Sequence, residues 1–133
     1  MSSGEYTEQL PCGGKLIVTT NSSEVTYYFP GRDRRHNGEF VNIRGKDIRQ
    51  YMKAFAENWN EYQSLKKSIP PGGDFSKKGK MGMTIRVDKY GGGVYIRHYH
   101  MRLDTKEKVA KVINSLDYAI KRTPQVRELL NKL

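Results

Sequence analysis

The chain is expected to fold as an α+β domain: an antiparallel sheet in the order β-β-β-α-β-β-α, with its helices packed on one face and the other face open. Three observations lead there. Short runs rich in β-branched and aromatic residues recur at 15–20, 24–29, 40–43 and 81–101. Apolar residues at helical three-and-four spacing fill 47–68 and return after Leu103. The strands come in groups ahead of a helix instead of alternating singly with helices, and groups of this kind make α+β domains. A sheet covered on one side leaves its other side for a ligand or a second subunit.

Taken in order, residues 1–14 are polar and carry Pro11, Gly13 and Gly14, which reads as a flexible N-terminal arm ahead of a single domain at 15–133. KLIVTT at 15–20 and EVTYYF at 24–29 are strands, joined by Asn21-Ser22-Ser23 as a short loop. Alternation places Val25, Tyr27 and Phe29 on one face and Thr26 and Tyr28 on the other, so one of the adjacent tyrosines must point away from the core. PGRDRRHNG at 30–38 is a turn-rich basic loop, and 40–43 a short third strand. The first helix should run over 47–68, with Ile48, Tyr51, Met52, Phe55, Trp59, Tyr62, Leu65 and Ile69 as the apolar stripe. Asp47 and Gln50 have capping-box spacing, and Pro70-Pro71-Gly72-Gly73 ends the run. Such a helix would be roughly 30 Å long at 1.5 Å per residue.

Residues 70–80 read as a basic connector, and 81–101 as a hairpin folded about Gly91-Gly92-Gly93. One face of that hairpin carries Met83, Ile85, Val87, Val94 and Ile96, and the other Thr84, Arg86, Tyr95, Arg97 and Tyr99. This parity is the hinge of the functional reading, because a one-residue slip exchanges the faces. A second helix follows with Asp104 and Glu107 as a capping box and Val109, Val112, Ile113, Leu116, Ala119 and Ile120 as its stripe. Thr123-Pro124 predicts a restart into a short C-terminal helix.

Charge and composition narrow the function. The 133 residues hold 24 Lys plus Arg against 14 Asp plus Glu, a formal net charge of +10 that favours a polyanionic partner. A lone cysteine, Cys12, rules out an internal disulfide and fits a reducing compartment. No apolar run approaches the ~20 residues of a bilayer span, and the N-terminus lacks a secretory h-region, so no membrane partner and an intracellular location, nuclear or cytoplasmic, are expected. Nucleophile elbows, phosphate loops, zinc-protease motifs and paired cysteines are missing, so neither catalysis nor a cofactor or metal is expected.

Rings beside guanidiniums on an open sheet suit single-stranded nucleic acid, since bases stack on rings and phosphates meet cations. The candidates are Arg86, Arg97, Tyr95 and Tyr99 on the hairpin, Lys77, Lys78 and Lys80 in the connector, Arg32, Arg34 and Arg35 in the basic loop, and Tyr28 as the outward tyrosine. Two other readings stand beside this one. His98 and His100 could serve a small RNA-processing nuclease. The stripe around Trp59 could dock a protein partner.

The run Val94-Tyr95-Ile96-Arg97-His98-Tyr99-His100-Met101, followed by the helical 103–122, resembles the aromatic-basic strand and helix of the positive cofactor four coactivators and of the wider Whirly and Pur-alpha group. Ile48-Arg49-Gln50-Tyr51-Met52 echoes part of a Pur-type repeat. The coactivators carry a K-G-I-x-L strand after the aromatic strand; here its nearest counterpart, Lys78-Gly79-Lys80-Met81-Gly82-Met83, comes before it. The resemblance covers about half the chain. It implies a homodimer that binds unpaired DNA on its sheets in transcription or replication, with Lys78, Lys80, Arg86, Tyr95, Arg97 and Tyr99 as contacts.

Overall fold

The computed structural model describes residues 4–11, 13–29, 39–97 and 100–133, with backbone alone at 29, 39, 97 and 100. The fold is α+β and antiparallel, as expected. Four strands, β1 (Tyr6–Gln9), β2 (Lys15–Val18), β3 (Ser23–Phe29) and β4 (Glu39–Arg44), precede helix α1 (Ile48–Ser68). Four more, β5 (Phe75–Lys78), β6 (Thr84–Val87), β7 (Gly93–Arg97) and β8 (His100–Leu103), precede helix α2 (Lys106–Asn131). Each set forms its own four-stranded sheet, in the orders β1-β2-β3-β4 and β5-β6-β7-β8. The two strand-then-helix halves are therefore equal in elements, where the sequence suggests a smaller second half and a single sheet.

Two strands lie where loops were expected, and a third divides what was read as one strand. The N-terminal arm supplies β1, which pairs with β2 through Tyr6↔Val18 and Glu8↔Leu16. The basic connector supplies β5, paired with β6 from Phe75↔Val87 to Lys78↔Thr84. Both are edge strands of polar composition, and at an edge one partner strand suffices to hold a weak β former. The third is β8: the hairpin strand read as continuous through Met101 ends at Arg97, and Arg97 pairs with His100. β7 and β8 are antiparallel, so the expected single strand is two, and the expectation for Tyr99 lies outside the described residues.

The helix ends also differ in detail. A 3-10 turn over Gly45–Asp47 separates β4 from α1. Thr105, not Asp104, caps α2, its Oγ1 accepting the Lys108 N–H at 3.1 Å. Asp104 instead pairs with Lys108 at 2.7 Å and Arg102 at 3.0 Å, and those cations hold its carboxyl below the usual range. α2 runs unbroken through Pro124. The Thr123 hydroxyl donates backward to the Ala119 carbonyl at 2.6 Å, so it does not act as the cap of a new helix.

The residues group into two compact units. The first comprises residues 1–49 and 114–133, and so joins the sheet β1–β4 to the C-terminal part of α2. Its core is Leu16, Val18, Val25, Tyr27, Val41, Ile43, Leu116, Ala119 and Val126, all buried. Glu8 fastens α2 to the edge strand: it accepts from the Tyr6 and Tyr118 hydroxyls and pairs with Arg122 at 3.2 Å. These donors, Tyr118 first, lower the Glu8 carboxyl below its ordinary pKa.

The second unit, residues 50–113, holds α1, the sheet β5–β8 and the first turns of α2. Phe55, Met83, Ile85, Val87, Val94, Ile96, Leu103, Val109 and Val112 are buried there. Removing a side chain the size of Phe55 from water stabilises by about 1.5–3 kcal/mol. Asn58, buried on α1, holds the turn before β6: its Oδ1 accepts the Lys80 N–H at 2.9 Å and its Nδ2 donates to the Lys80 carbonyl at 3.1 Å. The glycines of the β6–β7 connection are needed for space, since a Cβ on Gly92 would lie 2.0 Å from the Arg86 carbonyl oxygen and one on Gly93 2.6 Å from that of Leu103. Each sheet is thus joined to the helix that follows the other sheet, an exchange that no local pattern announces.

Candidate nucleic-acid interface

Register decides what each sheet presents outward. In the first sheet the cross-strand rows on the face opposite the core are Tyr28↔Phe40, Thr26↔Asn42 with Lys15, and Glu24↔Arg44 with Ile17. Tyr28 and Phe40 are the most exposed rings on that face, at 57% and 61%, with centroids 4.9 Å apart and planes tilted by 43°. Their partner positions on the same strands, Tyr27 and Val41, are buried. Two large rings exposed side by side form a surface on which unpaired bases can stack. Thr26 Oγ1 donates to Asn42 Oδ1 at 2.9 Å and ties the next row together. Lys15 and Arg44 are exposed at its margins and have no ion pair among the described residues.

The second sheet carries most of the candidates and arranges them differently. The predicted parity holds through Val94, Tyr95 and Ile96: Ile85 faces Val94 on the core side, and Thr84 faces Tyr95 on the other. Yet Tyr95 is only 8% exposed, so its ring offers little surface to a base. Arg86 lies on the same side but pairs with Asp74 and Asp88, each at 3.2 Å. Arg102, opposite Tyr95, pairs with Asp104. Lys77 faces Ile85, on the helix side, and pairs with Glu61 of α1. Lys80 pairs with Glu57 of the same helix and lowers that carboxyl. Lys78, opposite Thr84 and exposed, is the connector lysine that points outward.

Arg32, Arg34, Arg35, His98 and Tyr99 lie outside the described residues, as do the side chains of Arg97 and His100. Among the described residues no three His, Cys, Asp or Glu side chains gather as a metal site. No helix among them is long and apolar enough to cross a membrane. Trp59 is half-buried on α1 beside Tyr62, with ring centroids 5.1 Å apart.

Of the named candidates, the structure brings Tyr28 into an exposed aromatic site. Its partner Phe40, and the flanking Lys15 and Arg44, were not among them. A signal for Phe40 exists in the sequence: it shares strand parity with Asn42 and Arg44, against Val41 and Ile43. The chain matches no protein-family model, no curated protein and no solved structure.

Proposed function

We propose that this protein is a non-enzymatic binder of single-stranded nucleic acid, and that the outward face of the first sheet is its principal binding surface. The observation that carries the reading is the exposed Tyr28–Phe40 pair, flanked by cations without ion-pair partners among the described residues. Bases stack on the rings, while Lys15 and Arg44 neutralise phosphates beside them. The net charge of +10 adds long-range attraction for a polyanion. DNA is favoured over RNA, with a homodimer acting in transcription or replication, in nucleus or cytoplasm, on the strength of the resemblance to the positive cofactor four, Whirly and Pur-alpha group. A sheet of consecutive antiparallel strands followed by a helix, found in each half, is in keeping with that resemblance.

The test is a fluorescence titration of labelled single-stranded DNA, single-stranded RNA and duplex DNA at two salt concentrations. Tight binding of the single strands, weakening steeply as salt rises, is the expected result. Equal affinity for the duplex, or loss of all binding at low salt, would sink the proposal.

A further inference from the structure

The first unit contains a cavity of about 910 Å³ at the end of its sheet, beyond the Glu24–Arg44 row. Its walls come from the open face (Glu24, Arg44), the β2–β3 turn, the β4–α1 junction (Lys46, Arg49), the chain before β1 (Glu5) and α2 (Arg127). Among the described residues its four cations outnumber its two acids. Arg44, Lys46 and Arg49 have no ion-pair partner among the described residues. Arg127 Nε makes one long contact, 3.4 Å, to the Thr19 carbonyl. Isolated cations around a hollow of this size call for an anion.

Position along the sheet identifies which anion. Arg44 belongs both to the outward face and to the cavity wall. From the Tyr28–Phe40 row to the Glu24–Arg44 row is four residues along β3, about 13 Å at about 3.3 Å per residue. A strand whose bases stack on the ring pair and whose backbone follows β3 therefore arrives at the cavity within a few nucleotides. Among the described residues no aromatic ring lines the cavity, which suits it to backbone more than to bases. We infer that the cavity is the phosphate channel of the same site: Arg44, Lys46, Arg49 and Arg127 grip successive phosphodiesters of the single strand after it leaves Tyr28 and Phe40. The inference rests on the single-strand reading and extends it by assigning where the strand goes.

The experiment measures affinity for an oligothymidylate as a function of salt. Each phosphate neutralised on a single strand contributes about 0.7 to the slope of log K against log salt. Lys46→Ala/Arg127→Ala should shallow the slope by about 1.4 relative to the unmodified protein. Lys46→Ala/Arg49→Ala should do the same, and it leaves the Arg127–Thr19 contact intact should the first variant fold poorly by circular dichroism. Lys106→Ala/Lys111→Ala, exposed on α2 in the other unit, should leave the slope unchanged. An unmodified protein that does not bind the oligonucleotide at all refutes the parent reading. An unmodified protein that binds, with unchanged slopes in both cavity variants, refutes the channel alone. Adenosine triphosphate is the second arm: stoichiometric binding of it that survives Tyr28→Ala/Phe40→Ala and disappears in the cavity variants makes this a free-nucleotide site and overturns the channel.

Discussion

The two sheets share strand number, strand order and direction, yet their outward faces are chemically opposite. The second is rich in cations already answered by carboxylates: Arg86 sits between Asp74 and Asp88, and Arg102 meets Asp104. The first has fewer cations, but Lys15 and Arg44 are unpaired among the described residues, and its two rings are open where Tyr95 is covered. A phosphate approaching the second sheet must compete with an existing carboxylate at Arg86 and at Arg102. One approaching the first finds solvated cations and exchanges counterions for them. Counting basic residues does not separate the two faces; among the described arginines, those of the second sheet are held by carboxylates and Arg44 of the first is not.

The sharpest way to break this comparison is to remove the rings. Tyr28→Ala/Phe40→Ala should weaken single-strand binding by roughly 2–6 kcal/mol, from about 1–3 kcal/mol for each base that stacks. Fluorescence anisotropy reads it, and a loss of less than threefold would return the site to the second sheet. On that second sheet, Arg102→Ala should alter affinity less than Arg44→Ala does, because it removes a cation that Asp104 already holds. A larger effect at Arg102 would reverse the ranking of the faces.

Stability measurements sharpen the contrast from the other side. Asn58→Ala should destabilise the protein by about 2 kcal/mol in urea, since it removes the buried amide that bonds the Lys80 backbone and leaves the outward face of the first sheet untouched. Single-strand affinity under native conditions should persist.

Glu8→Gln should have a smaller effect, about 1 kcal/mol at neutral pH. Its sign with pH follows from the lowered carboxyl pKa in the folded state, caused first by the Tyr118 hydroxyl, then by Tyr6 and Arg122. The ionised carboxylate stabilises above its unfolded pKa, around 4, and that contribution fades as pH falls through the folded value. The gap between wild type and Glu8→Gln should thus close in acid, as urea titrations at neutral and acid pH will show. A gap that widens in acid contradicts the assignment.

Much of the molecule was legible from local pattern. Both helices begin within two residues of their predicted starts, and the apolar hairpin face of Met83, Ile85, Val87, Val94 and Ile96 is buried as alternation requires. Tyr28 against Tyr27 followed from the same alternation. The edge strands β1 and β5 were not legible, because their residues have weak β preference and pair by virtue of a neighbour already in place. The continuity of α2 across Pro124 was hidden for a similar reason: packing of Val126 and Ala119 on the sheet outweighs the local helix-breaking signal.

What the sequence determined by itself is the periodic part: which residues face inward on both helices and along Met83 to Ile96, the excess of positive charge, and the α+β class. Those properties act over a few residues, where geometry is set by the pleat and the helical turn. Only the tertiary structure decided which cations are free and which rings are open. Arg86 meets Asp74 from 12 residues away and Tyr118 meets Glu8 from 110 away, and neither pairing is encoded in any window of local periodicity. Pairing across such distances depends on where the strands register and where the exchanged helices come to rest, so the chemistry of the two outward faces emerges only once the chain has folded.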